Sequence, residues 1–152
     1  MTPEIEHFVR EARAYSQFVE TAATLSPRER LETARARLAA VYVAGLALPL
    51  VTLDDPEAPD PDMAAPSWPG FAEHDLYWDT LEPFDLSSDA PSNGVGSLDD
   101  DVCDTYRDLK HGLLSWDAGR RSSAVLHWRV LFMAHWGDHA VRALRVLHEA
   151  CS

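Results

Sequence analysis

No stretch of this sequence is long and apolar enough to cross a bilayer. The longest apolar run, LAAVYVAGLALPLV from Leu38 to Val51, falls short of the span a helix needs and contains Pro49. The N-terminus, MTPEIEHFVREAR, has no apolar core behind a basic start, so it does not read as a secretory leader. Cysteine is scarce. Cys103 and Cys151 show no metal-binding or redox spacing and read as reduced cytoplasmic thiols. There is no glycine-rich phosphate loop and no internal repeat. Basic charge is missing where it would matter most. Residues 51–110 carry two basic and sixteen acidic groups, a net of -14, against zero for 1–50 and +2 for 111–152, which sums to -12. Phosphate binding needs clustered Lys and Arg, so nucleic acid is excluded as a partner, and an anionic membrane surface is disfavoured on the same ground.

What remains is a chain of 152 residues, 46% hydrophobic and 25% charged, long enough to bury a core as one domain without staples. Helix signals dominate it. Thr2 and Pro3, with Glu4 and Glu6 in the first turn, predict a helix over 3–24, and Ile5, Phe8, Val9, Ala12, Tyr15, Val19 and Ala22 recur along one stripe. SPRE, Ser26 to Glu29, is a capping box that opens a second helix over 27–48, with Leu31, Ala34, Leu38, Val41, Tyr42 and Leu46 inward. DDPEAPDPDMAAPSWPG is too rich in proline and acid for a regular ladder, and 52–70 reads as a flexible acidic loop. EHDLYWDTLEPFD fits either a short helix or an extended segment, and SSDAPSNGVG is turn chemistry. SLDD caps a third helix over 98–117, with Gly119 placed to end it, and a fourth runs over 122–150. The fold expected is all-α: a four-helix bundle-like single domain over 1–152, with a long Pro/Asp-rich loop between helices 2 and 3.

Three segments, EHDLYWDTLEPFD, VGSLDDDVCDTYRDLKHGLLSWDAG and AVLHWRVLFMAHWGDHAVRALRVLH, resemble an uncharacterised bacterial family known only as a domain of unknown function. With the first helix included, the similarity covers nearly the whole chain apart from the proline-rich loop. The resemblance implies a small, mostly helical bacterial protein. It supplies no activity, substrate or catalytic residue.

HWGDH sets His135 and His139 one turn apart on a predicted helix, the geometric minimum for a metal clamp. Zinc needs two further ligands for a structural site and one for a catalytic site, and His74, Glu73 and Asp75 of EHD are the available types. A di-metal carboxylate centre is set aside, because Glu4, Glu11, Glu29 and Glu32 all fall off the apolar stripes. Asp104, Asp108 and His111 gather on one flank of the third helix. The two histidines are therefore expected at the edge of the core. Each would have one nitrogen bonded to a carbonyl or carboxylate and the other packed on a tryptophan, with no cofactor. Arg129 lies near the apolar arc and is expected to pair with Asp101, Asp104 or Asp108. EHDLYWD reads as a plug with Leu76, Tyr77 and Trp78 inward and Glu73, Asp75 and Asp79 outward, or as a binding patch. The acidic run 99–101 reads as helix-start electrostatics on a solvated face. Cys103 has no nearby base and is not a nucleophile candidate. Gly137, inside the fourth helix, is expected to mark close approach of another helix or of EHDLYW.

With no catalytic constellation and a strong charge asymmetry, the function expected is that of a cytoplasmic, acidic helical protein-interaction module whose partner is another, basic protein. Its candidate binding residues are Glu73, His74, Asp75, Tyr77, Trp78, Asp104, Asp108, Arg129, His135 and His139. The alternative is a small-molecule- or zinc-binding enzyme or sensor with a pocket formed by EHDLYW and HWGDH, its candidate metal ligands being His135, His139 and His74.

Overall fold

Local capping signals place the helix starts. Pro3 opens α1 (Pro3–Thr21), where Thr2 holds the cap position without a side-chain capping bond, and a 3-10 turn, Ala22–Thr24, follows it. Ser26 Oγ accepts from Glu29 N at 3.3 Å while Ser26 N donates to Glu29 Oε2 at 2.9 Å, a complete capping box at the start of α2 (Pro27–Leu46). Two antiparallel strands, β1 (Leu76–Thr80) and β2 (Asn93–Ser97), lead straight into α3 (Leu98–Asp117), and α4 (Arg121–Ala134) and α5 (Trp136–Ala150) complete the chain. Gly119, at φ 85°, ends the α3 segment as its position predicts. The computed structural model describes residues 1–54, 61–87 and 93–152.

α1 packs against α2 and α3, α2 against α5, and α3 against both α4 and α5. The stripes predicted from spacing meet in one core. Phe8, Tyr15, Leu38, Val41, Leu98, Leu109, Trp128 and Trp136 are all fully enclosed there. Truncating such a leucine to alanine costs about 2–5 kcal/mol. The polar ends of the buried aromatics are satisfied. Trp128 Nε1 donates to Leu109 O at 3.1 Å, Trp136 Nε1 to Trp128 O at 3.0 Å, and Tyr15 Oη to Val102 O at 2.9 Å. Among the described residues, no helix is long and apolar enough to cross a membrane.

The molecule is mostly helical, but it departs from an all-α bundle of four helices in two places. The first is the predicted fourth helix, which breaks into α4 and α5. His135, at φ -150° and ψ -84°, both caps the end of α4 and opens α5. Its N–H closes α4 on Leu131 O at 2.8 Å, and its carbonyl accepts from Asp138 N at 3.1 Å to start α5. Gly137 is buried against the preceding helix, where an added Cβ would lie 2.2 Å from Phe132 O. The close approach predicted for Gly137 is thus real, and the helix it meets is α4, the first half of the helix expected to be continuous, not EHDLYW.

The second departure is the hairpin, formed from residues read as ambiguous or as turn. Tyr77 pairs with Gly96 and Trp78 with Val95. Gly96 leaves room for the Tyr77 ring to lie across β2, since a Cβ there would stand 2.3 Å from Tyr77 Cζ. The flexible loop expected over 52–70 is corrected at its C-terminal end. Trp68 Nε1 donates to Asp99 Oδ1 at 2.8 Å, and its ring packs edge-on to Phe18 and Phe71, at 5.8 and 5.0 Å. Residues 55–60 of that stretch and 88–92 of the turn stretch lie outside the described residues. Leu46, expected inward, is exposed at the end of α2.

Candidate functional site

The site begins with the acidic start of α3. Asp75 Oδ1 accepts from Ser97 Oγ at 2.7 Å and from Asp99 N at 2.9 Å, while Ser97 Oγ accepts from Asp100 N at 3.1 Å. These bonds satisfy the first free N–H groups of the helix. The run 99–101 is not the solvated face expected of it. Only Asp100 faces solvent. Asp99 also accepts from Phe71 N at 2.9 Å, and Asp101 is 3% exposed. Asp101, Asp104 and Asp108 then follow at helical spacing, which puts all three carboxylates on the flank of α3 that faces α5.

The break before α5 answers with His135, and α5 itself with His139 and Arg142. His139 Nδ1 lies 2.6 Å from Asp101 Oδ1, and His135 Nδ1 lies 2.6 Å from Asp108 Oδ2. A carboxylate oxygen that close requires the proton on Nδ1, so the neutral tautomer of each ring leaves Nε2 as its free acceptor. His139 Nε2 faces Asp104 Oδ2 at 3.6 Å. The His135 and His139 rings meet edge to face at 4.7 Å. The hairpin supplies the last donor: Tyr77 Oη donates to Asp101 Oδ2 at 2.5 Å. Arg142 spans the edge of the cluster, with Nη2 3.6 Å from Asp101 and Nη1 3.5 Å from both Asp79 and Asp138. The buried Asp101 carboxylate therefore has a tyrosine, a histidine and an arginine around it. A charge taken out of water needs such an arrangement.

The electrostatics follow from these contacts. The bond from Asp101 raises the His139 pKa above the ordinary imidazole value, against the opposing effect of burial. Burial, with Asp101 adding to it, pushes the Tyr77 phenol well up and keeps it a donor. Burial lowers Arg142, but the carboxylates of Asp101, Asp138 and Asp79 outweigh it and the guanidinium is held charged. Cys103, half-buried beside this face, is pushed up to about 11 by burial, so it is a protonated, unreactive thiol.

The sequence-predicted residues divide accordingly. Asp104, Asp108, His135, His139 and Tyr77 come together. Both histidines bond a carboxylate as expected, but the other face of each ring meets its fellow histidine and not a tryptophan. His74 and Glu73 stand apart on a 3-10 turn, 4.0 Å from each other and outside the cluster. The plug is reversed in part: Tyr77 turns inward as expected, but Asp79 and Asp75 turn inward too, and Leu76 and Trp78 are left outward at 69% and 72% exposure. Arg129 forms no ion pair with its expected partners. Asp101, Asp104 and Asp108 face His135, His139, Arg142 and Arg107 instead. Asp79 was expected to face outward, and Arg142 was not singled out by the sequence. The only trace of Arg142 is its position three residues after His139, on the same side of α5.

The opposite face of the hairpin is apolar and open. Trp78 and Val95 stand opposite each other there beside Leu76, and the chain beyond β1 exposes Leu81, Phe84 and Leu86. An open pocket of about 500 Å³ lies between β1 and α5, lined by Trp78, Leu81, Asp138 and Arg142 among others.

Residues 70–152, which hold the hairpin and α3 to α5, match the family described as a domain of unknown function (DUF5063). The crystal structure of protein BF1032 from Bacteroides fragilis is similar in fold, with a TM-score of 0.78 over 99% of this chain and 93% of that one, at 19% sequence identity. No curated protein matches the chain.

Proposed function

This chain belongs to the DUF5063 family, whose description carries no activity, and we propose from its geometry that it is a docking module for a basic, amphipathic segment of another protein. The observation that carries the proposal is the outer face of the hairpin. Leu76, Trp78 and Val95 expose their side chains on that face, and Leu81, Phe84 and Leu86 are exposed on the chain just beyond β1, more apolar surface than singly scattered leucines present. The inner face of the same hairpin is tied to α3 and α5 through Tyr77 and Asp79, and Arg145 Nη2 donates to Trp78 O at 2.9 Å. The apolar face is thereby held in place before anything binds, which reduces the ordering penalty of association.

Charge selects the class of partner. From Ala72 to Asp100 the chain holds no Lys or Arg, while Glu73, Glu82 and Asp85 are exposed around the face. Arg142 and Arg145, on its flank, are already engaged with Asp79, Asp138 and Glu149. A partner that combines large apolar anchors with Lys or Arg fits both properties, and its association is steered by the acidic field.

The test is comparative capture from a lysate of the source organism by the parent chain and by a Trp78→Ser/Phe84→Ser variant, both confirmed folded by circular dichroism. A basic protein held by the parent, lost from the variant and binding more slowly as salt rises supports docking at this face. Identical capture by both chains removes the proposal. Concentration-dependent dimerisation that disappears in the variant would assign the face to a second copy of the chain and overturn the partner class.

A further inference from the structure

We propose that Asp104, His135 and His139 form a mononuclear site for a first-row divalent transition ion of the zinc class. The docking face plays no part in this inference. The three side chains each bring one ligand atom, and those atoms lie within 4.8 Å of one another. Ligands about 2 Å from a tetrahedral zinc stand roughly 3.3 Å apart. His139 Nε2 and Asp104 Oδ2, at 3.6 Å, are already close to that separation. Closing the remainder takes a small adjustment of the His135 ring about its bond to Asp108, on the side where that side chain is 43% exposed.

The surroundings of the three residues separate this cluster from an ordinary group of surface acids. Metal-bound imidazoles characteristically donate their other N–H to a carboxylate, which fixes the tautomer and makes the free nitrogen a better ligand. Both histidines do so here: His135 Nδ1 to Asp108 and His139 Nδ1 to Asp101, each at 2.6 Å. Asp101 is in turn held by Tyr77 Oη, so the support extends two residues outward from the ligand. Arg107 Nη1 bonds Asp104 Oδ1 and leaves Oδ2 turned toward His139. All three ligand atoms are thus pointed at one place by groups that do not themselves enter it.

Charge and ligand type select the ion. Two imidazoles and one carboxylate suit zinc and its first-row neighbours, whereas magnesium and calcium call for oxygen donors throughout. Asp101, Asp104 and Asp108 give the site a net negative field against Arg107 and Arg142. Three protein ligands would leave at least one coordination position for solvent, the open form of site, and His135 is the most exposed of the three side chains, at 43% against 17% for His139 and 25% for Asp104. His74 does not contribute, since it stands outside the cluster.

The probe is zinc ion alone, titrated into chelator-stripped, tag-free protein. The expected result is one equivalent bound, surviving dialysis. Asp104→Asn and His135→Gln should each weaken it by more than about 100-fold, and Asp108→Asn, which touches only the far nitrogen of His135, by about 10–100-fold. A parent chain that binds no tighter than Asp104→Asn overturns the site. A readout on the unaltered protein covers the case in which a variant unfolds: zinc should move the imidazole nitrogen resonances of His135 and His139. Movement confined to the stacked His111–His127 pair, or no movement at all, rejects the assignment. Trp78→Ser/Phe84→Ser should bind zinc like the parent, so loss of the docking face and loss of the metal site give different results.

Discussion

The indole of Trp128 lies directly against Gly112, so that a Cβ added to the glycine would stand 2.0 Å from Trp128 Nε1. The same nitrogen donates to Leu109 O, one turn back on α3. α3 and α4 therefore meet through a ring with no clearance. Gly112→Ala is expected to destabilise the protein, although alanine is the better helix former by about 1 kcal/mol. Overpacking of this kind costs about 1–3 kcal/mol, and the displaced indole also loses its acceptor. Urea unfolding measures the difference, and a midpoint at or above the parent's would show that the ring can move aside.

Gly137 should behave in the same direction for a different reason. The atom an added Cβ would meet is Phe132 O, at 2.2 Å, a backbone atom that cannot swing away like the end of a side chain. Gly137→Ala and Gly137→Leu are both expected to lose stability, by roughly 1 kcal/mol or more. An alanine variant that melts above the parent would mean that α4 and α5 can straighten into one helix.

Tyr77→Phe and His139→Ala, in metal-free protein, each remove one partner from a carboxylate that is 3% exposed. Each is expected to cost about 1–3 kcal/mol, and His139→Gln less than His139→Ala because it keeps a polar end. Both substitutions act on Asp101, so their effects should fail to add by about 0.5–3 kcal/mol in a double-mutant cycle. Strict additivity would show that the two donors do not share the buried charge.

Acid should loosen the start of α2. The Ser26 hydroxyl bond, with the Ser26 backbone bond behind it, holds the Glu29 carboxyl below its ordinary value. A pKa depressed in the folded state contributes stability above the unfolded value, and loses it as pH falls through the folded one. Ser26→Ala should therefore melt below the parent near neutrality, with the gap narrowing as pH falls through and below the carboxylate range. A gap that does not change with pH would place the effect of Ser26 elsewhere.

Helix starts were legible because their causes are local. The Ser26–Glu29 box and the Ser97 cap each act within three residues, and the structure contains both. The break at His135 was not legible, because AHWGDHAV satisfies helical spacing on both sides and the clash that Gly137 avoids exists only once the chain has bent. The hairpin was hidden for a related reason. NGVGS has too little apolar alternation to announce a strand, and what it accommodates is the ring of Tyr77, on the other strand. In the site, HWGDH was visible as a pair of ligand types, and Asp104 and Asp108 as one flank. Asp101 passed for a helix-start charge because its sequence neighbours, Asp99 and Asp100, look the same. Only the arrival of α5 and Tyr77 separates it from them.

Asp75 sits at the entry to the hairpin, yet its carboxylate holds Ser97 Oγ and Asp99 N, and its carbonyl accepts from Leu98 N at 2.8 Å. The first turn of α3 is therefore completed from 22 residues earlier in the chain, across both strands. Hydrogen exchange should register this as one unit of opening: the amides of Leu98 and Asp99 should exchange together with those of the hairpin and not with the middle of α3. Every excursion of the hairpin then frays the helix end that carries Asp101, so motion at the apolar face reaches His139 through the backbone that Asp75 holds as well as through Tyr77.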